Sequence, residues 1–162
     1  MLAAGKSAPD FRLTGIDGKT HSLSEALKKG PVLLAFFKVC CPICQFTFPF
    51  LERLYETYGD SHVTLWGISQ DDAPDTRDFN REFEISFTGL IDDNGYPVSN
   101  RYGITNVPTL FLVGTDGKIR ASETGFSKKD LEYAAKEFAA ASGKPASALF
   151  KPSDIVPDYK PG

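Results

Sequence analysis

Six consecutive apolar residues, Val32-Leu33-Leu34-Ala35-Phe36-Phe37, lead within a few positions into Cys41-Pro42-Ile43-Cys44, and this junction constrains the fold more than any other stretch. An unbroken apolar run of that length reads as a strand covered on both faces, as in a sheet sandwiched between helices. From there to about Tyr58 the pattern becomes helical: Gln45, Pro49, Glu52, Arg53 and Glu56 share one stripe, while Ile43, Phe46, Phe50 and Leu54, with Phe48, Leu51 and Tyr55, cover the remainder. So wide an apolar surface packs deeply against a sheet. Buried strand, Cys-x-x-Cys, helix: this order puts two thiols at a helix N-terminus, where unpaired backbone N–H groups and the positive end of the macrodipole favour a thiolate. A thiolate attacks disulfides, and a cysteine three residues on can resolve the mixed disulfide by closing a ring.

Cys-x-x-Cys is also half of many zinc sites, but a closed zinc site needs four ligands. Besides the pair, the chain holds only Cys40, His21 and His62, and neither histidine has ligand spacing to the cysteines or to the other. Three cysteines do not make a disulfide scaffold, and 162 residues with 13 Phe can bury a core without staples. Neither a metal nor a cofactor is expected. A net charge of −3 with no Lys/Arg cluster gives no footprint for nucleic acid, and no apolar run approaches the length of a membrane span. The opening Met1-Leu2-Ala3-Ala4-Gly5-Lys6 lacks a basic region followed by an apolar core. A cytoplasmic site is expected if the chain is complete, an extracytoplasmic one if a leader has been removed.

Strands and helices alternate along the chain. Residues 11–13 and 20–23 flank an Asp17-Gly18 hairpin signal, and Ser24 is expected to cap a short helix that stops at Gly30. Residues 63–69 read as a strand, 74–83 as a helix entered through Asp71 or Asp72, 89–91 as a short strand and 96–102 as a brief helix. Residues 109–113 and 119–123 pair across a second Asp-Gly turn at Asp116-Gly117, and Ser127 caps a final helix to about Ala141. Parallel crossovers followed by an antiparallel hairpin predict an α/β chain with a mixed central sheet, helices on both faces and an N-terminal β-hairpin.

Ala8-Pro9-Asp10-Phe11, the strand into Cys41-Pro42-Ile43-Cys44, Pro49 five residues after the second cysteine, and Tyr102-Gly103-Ile104 through Val107-Pro108-Thr109 to Asp116-Gly117-Lys118 together carry a resemblance. They resemble the TlpA/ResA-like thiol–disulfide oxidoreductases of the thioredoxin fold, which are related to the peroxiredoxins (AhpC/TSA); the similarity spans roughly residues 7–140. The resemblance implies thiol–disulfide exchange, with Cys41 attacking and Cys44 resolving. It also implies a cis-proline at Pro108 that turns the Val107 backbone toward the cysteines and toward an extended substrate chain. Substrates would be disulfides or dithiols of proteins or small molecules, with a separate electron donor, and the protein would be a monomer. Pro42-Ile43 adds no charge to stabilise a thiolate, which argues for a reductant or mid-potential exchanger over a strong oxidant.

Two positions depart from the pattern. Thioredoxin carries a buried acid where this chain has Ala35, so a proton acceptor for Cys44 must come from elsewhere, and Asp71 or Asp72 is a candidate, with helix capping as the alternative for both. Cys40 replaces the tryptophan of many relatives and is expected to be a buried or half-buried spare thiol. The Cys40-to-Cys44 spacing is similar to that of Sco-type copper chaperones, which also need a downstream histidine that no residue after His62 supplies. A peroxiredoxin-like peroxide reductase is the main rival. It needs a Thr or Ser three residues before its peroxidatic cysteine and a late arginine to activate peroxide, and here those positions fall on Cys41 and Pro108. A non-enzymatic thioredoxin-fold binding module is disfavoured by the intact cysteine pair.

The domain organisation expected is a thioredoxin-like domain over residues 1–143 followed by an extended tail over 144–162. Four prolines in that tail exclude a helix or central strand. Leu149, Phe150, Ile155, Val156 and Tyr159 make it too apolar for a free linker, so it should dock on the body or on a partner.

Overall fold

The computed structural model describes residues 1–162. Strands β1 (Arg12–Thr14) and β2 (Thr20–Ser22) form the N-terminal hairpin, followed by helix α1 (Leu23–Leu27). A five-stranded sheet then runs in the order β5-β4-β3-β6-β7, built from β3 (Val32–Phe37), β4 (Thr64–Ser69), β5 (Gly89–Ile91), β6 (Thr109–Val113) and β7 (Ile119–Thr124). β3 pairs in parallel with β4 and antiparallel with β6, so the sheet is mixed, as the chain order predicts. Helices α2 (Pro42–Tyr58), α3 (Ala73–Glu82), α4 (Pro97–Tyr102) and α5 (Lys128–Ser142) complete the body, and the two-residue strands β8 (Phe126–Ser127) and β9 (Tyr159–Lys160) pair beside it.

The two-residue period of β3 divides the core. Leu33, Ala35 and Phe37 face one layer with Cys44, Phe48, Leu51 and Phe138, while Val32, Leu34 and Phe36 face the other with Phe11, Trp66 and Tyr102. Every residue of β3 is buried, which is why its sequence shows no polar break. On the first face α2 comes very close to the sheet. A Cβ on Gly67 of β4 would lie 2.9 Å from the Phe37 ring and 3.3 Å from Phe48, so glycine there admits the mutually tilted Phe37 and Phe48 rings, whose centroids are 4.3 Å apart. No helix is long and apolar enough to cross a membrane.

Two local expectations are corrected, and a third residue takes a partner that the helical pattern does not show. Ser22, not Ser24, caps α1, its hydroxyl accepting the Glu25 N–H; the Ser24 N–H instead donates to the Asp10 carboxylate. Glu52, on the stripe of α2 that it shares with Gln45 and Glu56, is buried. It is 7% exposed and accepts the Ser86 N–H at 2.8 Å and the Ser86 hydroxyl, tying α2 to the segment before β5. Cys40 is exposed rather than buried, because the turn between β3 and α2 carries it outward.

The segment after α5 docks on the body. Leu149 and Phe150 enter the α2-side core, Ser147 donates to the Tyr58 hydroxyl, and Asp154 pairs with Arg53 at 2.7 Å.

Candidate functional site

β3 delivers the chain to the sheet's end at Phe37, and the four residues before α2 are held by partners from outside the turn and by one bond within it. The Val39 N–H donates to the Asp71 carboxylate at 2.8 Å, Gln45 Nε2 donates to the Val39 carbonyl at 2.9 Å, and Cys41 N–H donates to Lys38 O. Cys41 then takes the N-cap position with extended backbone (φ −80, ψ 118), Pro42 fills the first turn, where no amide donor is needed, and Cys41 Sγ accepts the Cys44 N–H at 3.2 Å.

The two thiols, both free, occupy different environments. Cys41 is half-buried, and Cys44 one turn on has no exposed surface. Burial pushes the Cys44 thiol far above its ordinary value, with Cys41 beside it acting in the same direction. The Val107–Pro108 peptide is cis, and the Val107 carbonyl oxygen accepts from Cys41 Sγ at 3.4 Å. Cys41, Pro42, Val107 and Asn106 line one open cleft of about 390 Å³, with Lys38 and Gln70 on its polar side. Gln70 is fixed there by Ser99, itself held by the buried carboxylate of Asp92.

Cys41, Cys44, Val107 and Pro108 therefore come together, although more than sixty positions separate the cysteines from the proline loop. Asp72 sits apart as the N-cap of α3, accepting the Asp75 N–H. Asp71 reaches the site only through the Val39 amide. Sequence reasoning missed Asp71's tie to Val39 and the roles of Gln45 and Gln70, because their partners are set by tertiary packing. His21 and His62 lie against Asp17 and Asp60, and no three His, Cys, Asp or Glu side chains converge as metal ligands do.

A helix-start dithiol facing a proline loop at the end of a thioredoxin-like sheet is the arrangement of a thiol–disulfide oxidoreductase. The AhpC/TSA family model matches residues 4–122, and the chain belongs to that family. It is 31% identical over 133 residues to the thiol-disulfide oxidoreductase ResA of Geobacillus thermodenitrificans, covering 81% of this chain and 75% of that one. The thioredoxin domain of a Bacteroides vulgatus thiol-disulfide oxidoreductase superposes with a TM-score of 0.74 at 28% identity, over 85% of this chain and 99% of that one. A Mycobacterium tuberculosis peroxidoxin, BcpB, shares the fold at a TM-score of 0.73 and 23% identity, over 86% and 98% of the two chains.

Proposed function

We propose that this oxidoreductase works through Cys41 as the attacking thiolate and Cys44 as the resolving thiol, with Val107 and Pro108 bordering the bound substrate. The carrying observation is the unequal burial of the pair: Cys41 Sγ borders the open cleft, and Cys44 is covered by the core. Only the first can meet a disulfide on another molecule. Cys41 attacks one substrate sulfur, the substrate S–S bond breaks, and one substrate thiolate leaves. Cys44 then gives up its proton and attacks Cys41 Sγ, forming the Cys41–Cys44 bridge and releasing the second substrate thiolate. Two electrons pass from the enzyme dithiol to the substrate, and a separate dithiol donor restores the reduced pair.

The substrate class is a disulfide of a protein or small molecule. The Val107 backbone beside Cys41 suits an extended chain added along that edge. The test is trapping. Cys44→Ser should accumulate a mixed disulfide on Cys41, Cys41→Ser should abolish exchange, and Cys40→Ser should leave it intact. Trapping that survives Cys41→Ser and disappears in Cys40→Ser would move the attacking role to Cys40.

A further inference from the structure

The segment after α5 does more than cover the core, because its course leads to the site. Phe150 packs on Phe50, with ring centroids 5.1 Å apart, and Asp154 is held by Arg53. The chain then runs antiparallel to β8: Asp158 O accepts the Lys128 N–H at 2.9 Å, the Tyr159 hydroxyl donates to Thr124 O at 2.8 Å, and the Lys160 ammonium lies 4.5 Å above the Phe46 ring. The approach is tight enough to dictate residue type. At Gly125 (φ +89) any Cβ would collide with the Lys160 carbonyl. Gly125 N–H in turn donates to Pro108 O at 2.7 Å, so the strap lies directly outside the proline loop.

Its end reaches the reacting edge. A Cβ on Gly162 would lie 2.6 Å from Val107 O, the same oxygen that accepts from Cys41 Sγ, and Gly162 lines the cleft with Cys41 and Pro42. An extended substrate chain seated along Val107 would run into this backbone, whereas the cleft of about 390 Å³ has room for a small disulfide.

We propose that residues 158–162 are a specificity element, a strap lying across the Val107 edge that admits small disulfides to Cys41 and admits a polypeptide disulfide only when the strap has lifted. The proposal rests on Cys41 being the attacking thiol. When the competent state is a fraction of the population, apparent reactivity falls by that fraction, so a strap down nine-tenths of the time costs about tenfold toward polypeptides alone.

The experiment uses the full chain with Arg53→Ala, Tyr159→Ala and Lys160→Ala combined, none of which touches the cysteines. Amide exchange at Lys128, whose N–H donates to Asp158 O, reports whether the strap is docked. Second-order rate constants of the reduced protein are measured in single turnover with Ellman's disulfide and with insulin. With the strap released, the insulin rate should rise about tenfold while the rate with the small disulfide stays within a factor of two. An unchanged ratio with the strap off, or a strap already unprotected in the unmutated protein, overturns the proposal. Neither result touches the exchange reading, which fails separately if Cys41→Ser reacts with both disulfides at the unmutated rate.

Discussion

Cys41 and Cys44 are one helical turn apart, yet Cys41 is half-buried and Cys44 fully buried, and this difference has a measurable consequence at alkaline pH. In the unfolded chain Cys44 ionises near 9.0, whereas in the fold burial holds it protonated well beyond that. The stability this difference contributes is fully present below about pH 9 and is lost as pH rises above it, because only the unfolded chain then sheds the proton. The reduced protein should therefore lose stability at up to about 1.4 kcal/mol per pH unit above that point relative to Cys44→Ala, as followed by urea denaturation between pH 8 and 10.5. Parallel curves would show that Cys44 is not held as a thiol. A second residue separates positioning from proton transfer. Asp71→Ala removes the acceptor of the Val39 N–H and should slow exchange severalfold, while Asp71→Asn, which keeps an acceptor oxygen, should restore it with an unchanged pH profile. If Asn is as slow as Ala, Asp71 moves a proton. The cysteine pair was legible because its chemistry is local: strand, motif and helix follow one another in sequence. Cys40's exposure and Asp71's partner were not, since the first depends on how the chain turns out of β3 and the second on a contact across 32 residues.

Elements were legible where one periodicity ran unopposed. β3, β5 and β6 fall on the residues their apolar runs indicate, and Ser127 caps α5 with its hydroxyl accepting the Asp130 N–H, as expected. α1 shows the opposite case. With Ser22 and Ser24 two positions apart, sequence offers two caps, and the hairpin decides by giving the Ser24 amide to Asp10. The burial of Glu52 was not legible for a similar reason: in the helical pattern it shares a stripe with Gln45 and Glu56, and the segment before β5 supplies its Ser86 partners. Glu52→Ala strands the Ser86 N–H and removes two charge-assisted hydrogen bonds, so it should destabilise the fold by about 2 kcal/mol. Thermal denaturation checks this, and exchange rates at 25 °C should stay near the unmutated value because Glu52 lies far along α2 from Cys41. A shift under about 0.5 kcal/mol would mean that the Ser86 groups find other partners.

At the scale of the whole molecule, hairpin turns and crossover order gave the mixed sheet, but the course of residues 144–162 was legible only as docked and extended. Its destination depends on Arg53, Phe46 and Phe126, whose joint presentation no local pattern encodes. The two-layer core also settles how the redox state should be followed. Trp66 packs on Phe11 and His21 in the layer opposite Cys44, so counting thiols by alkylation and mass is the direct readout, not tryptophan fluorescence. The same layering bears on the peroxidase alternative, which would set the peroxide-reactive sulfur at Cys44, where no surface is exposed, and its activating arginine at buried Pro108. The most direct measurement mixes the reduced protein with a small disulfide or with hydrogen peroxide, quenches with alkylating reagent and locates the products by mass. Rapid loss of both thiols to a Cys41–Cys44 bridge with the disulfide, against peroxide oxidation no faster than that of an ordinary accessible thiolate, is the result expected. Peroxide reacting orders of magnitude faster than free cysteine, with sulfenic acid on Cys44, would contradict the account.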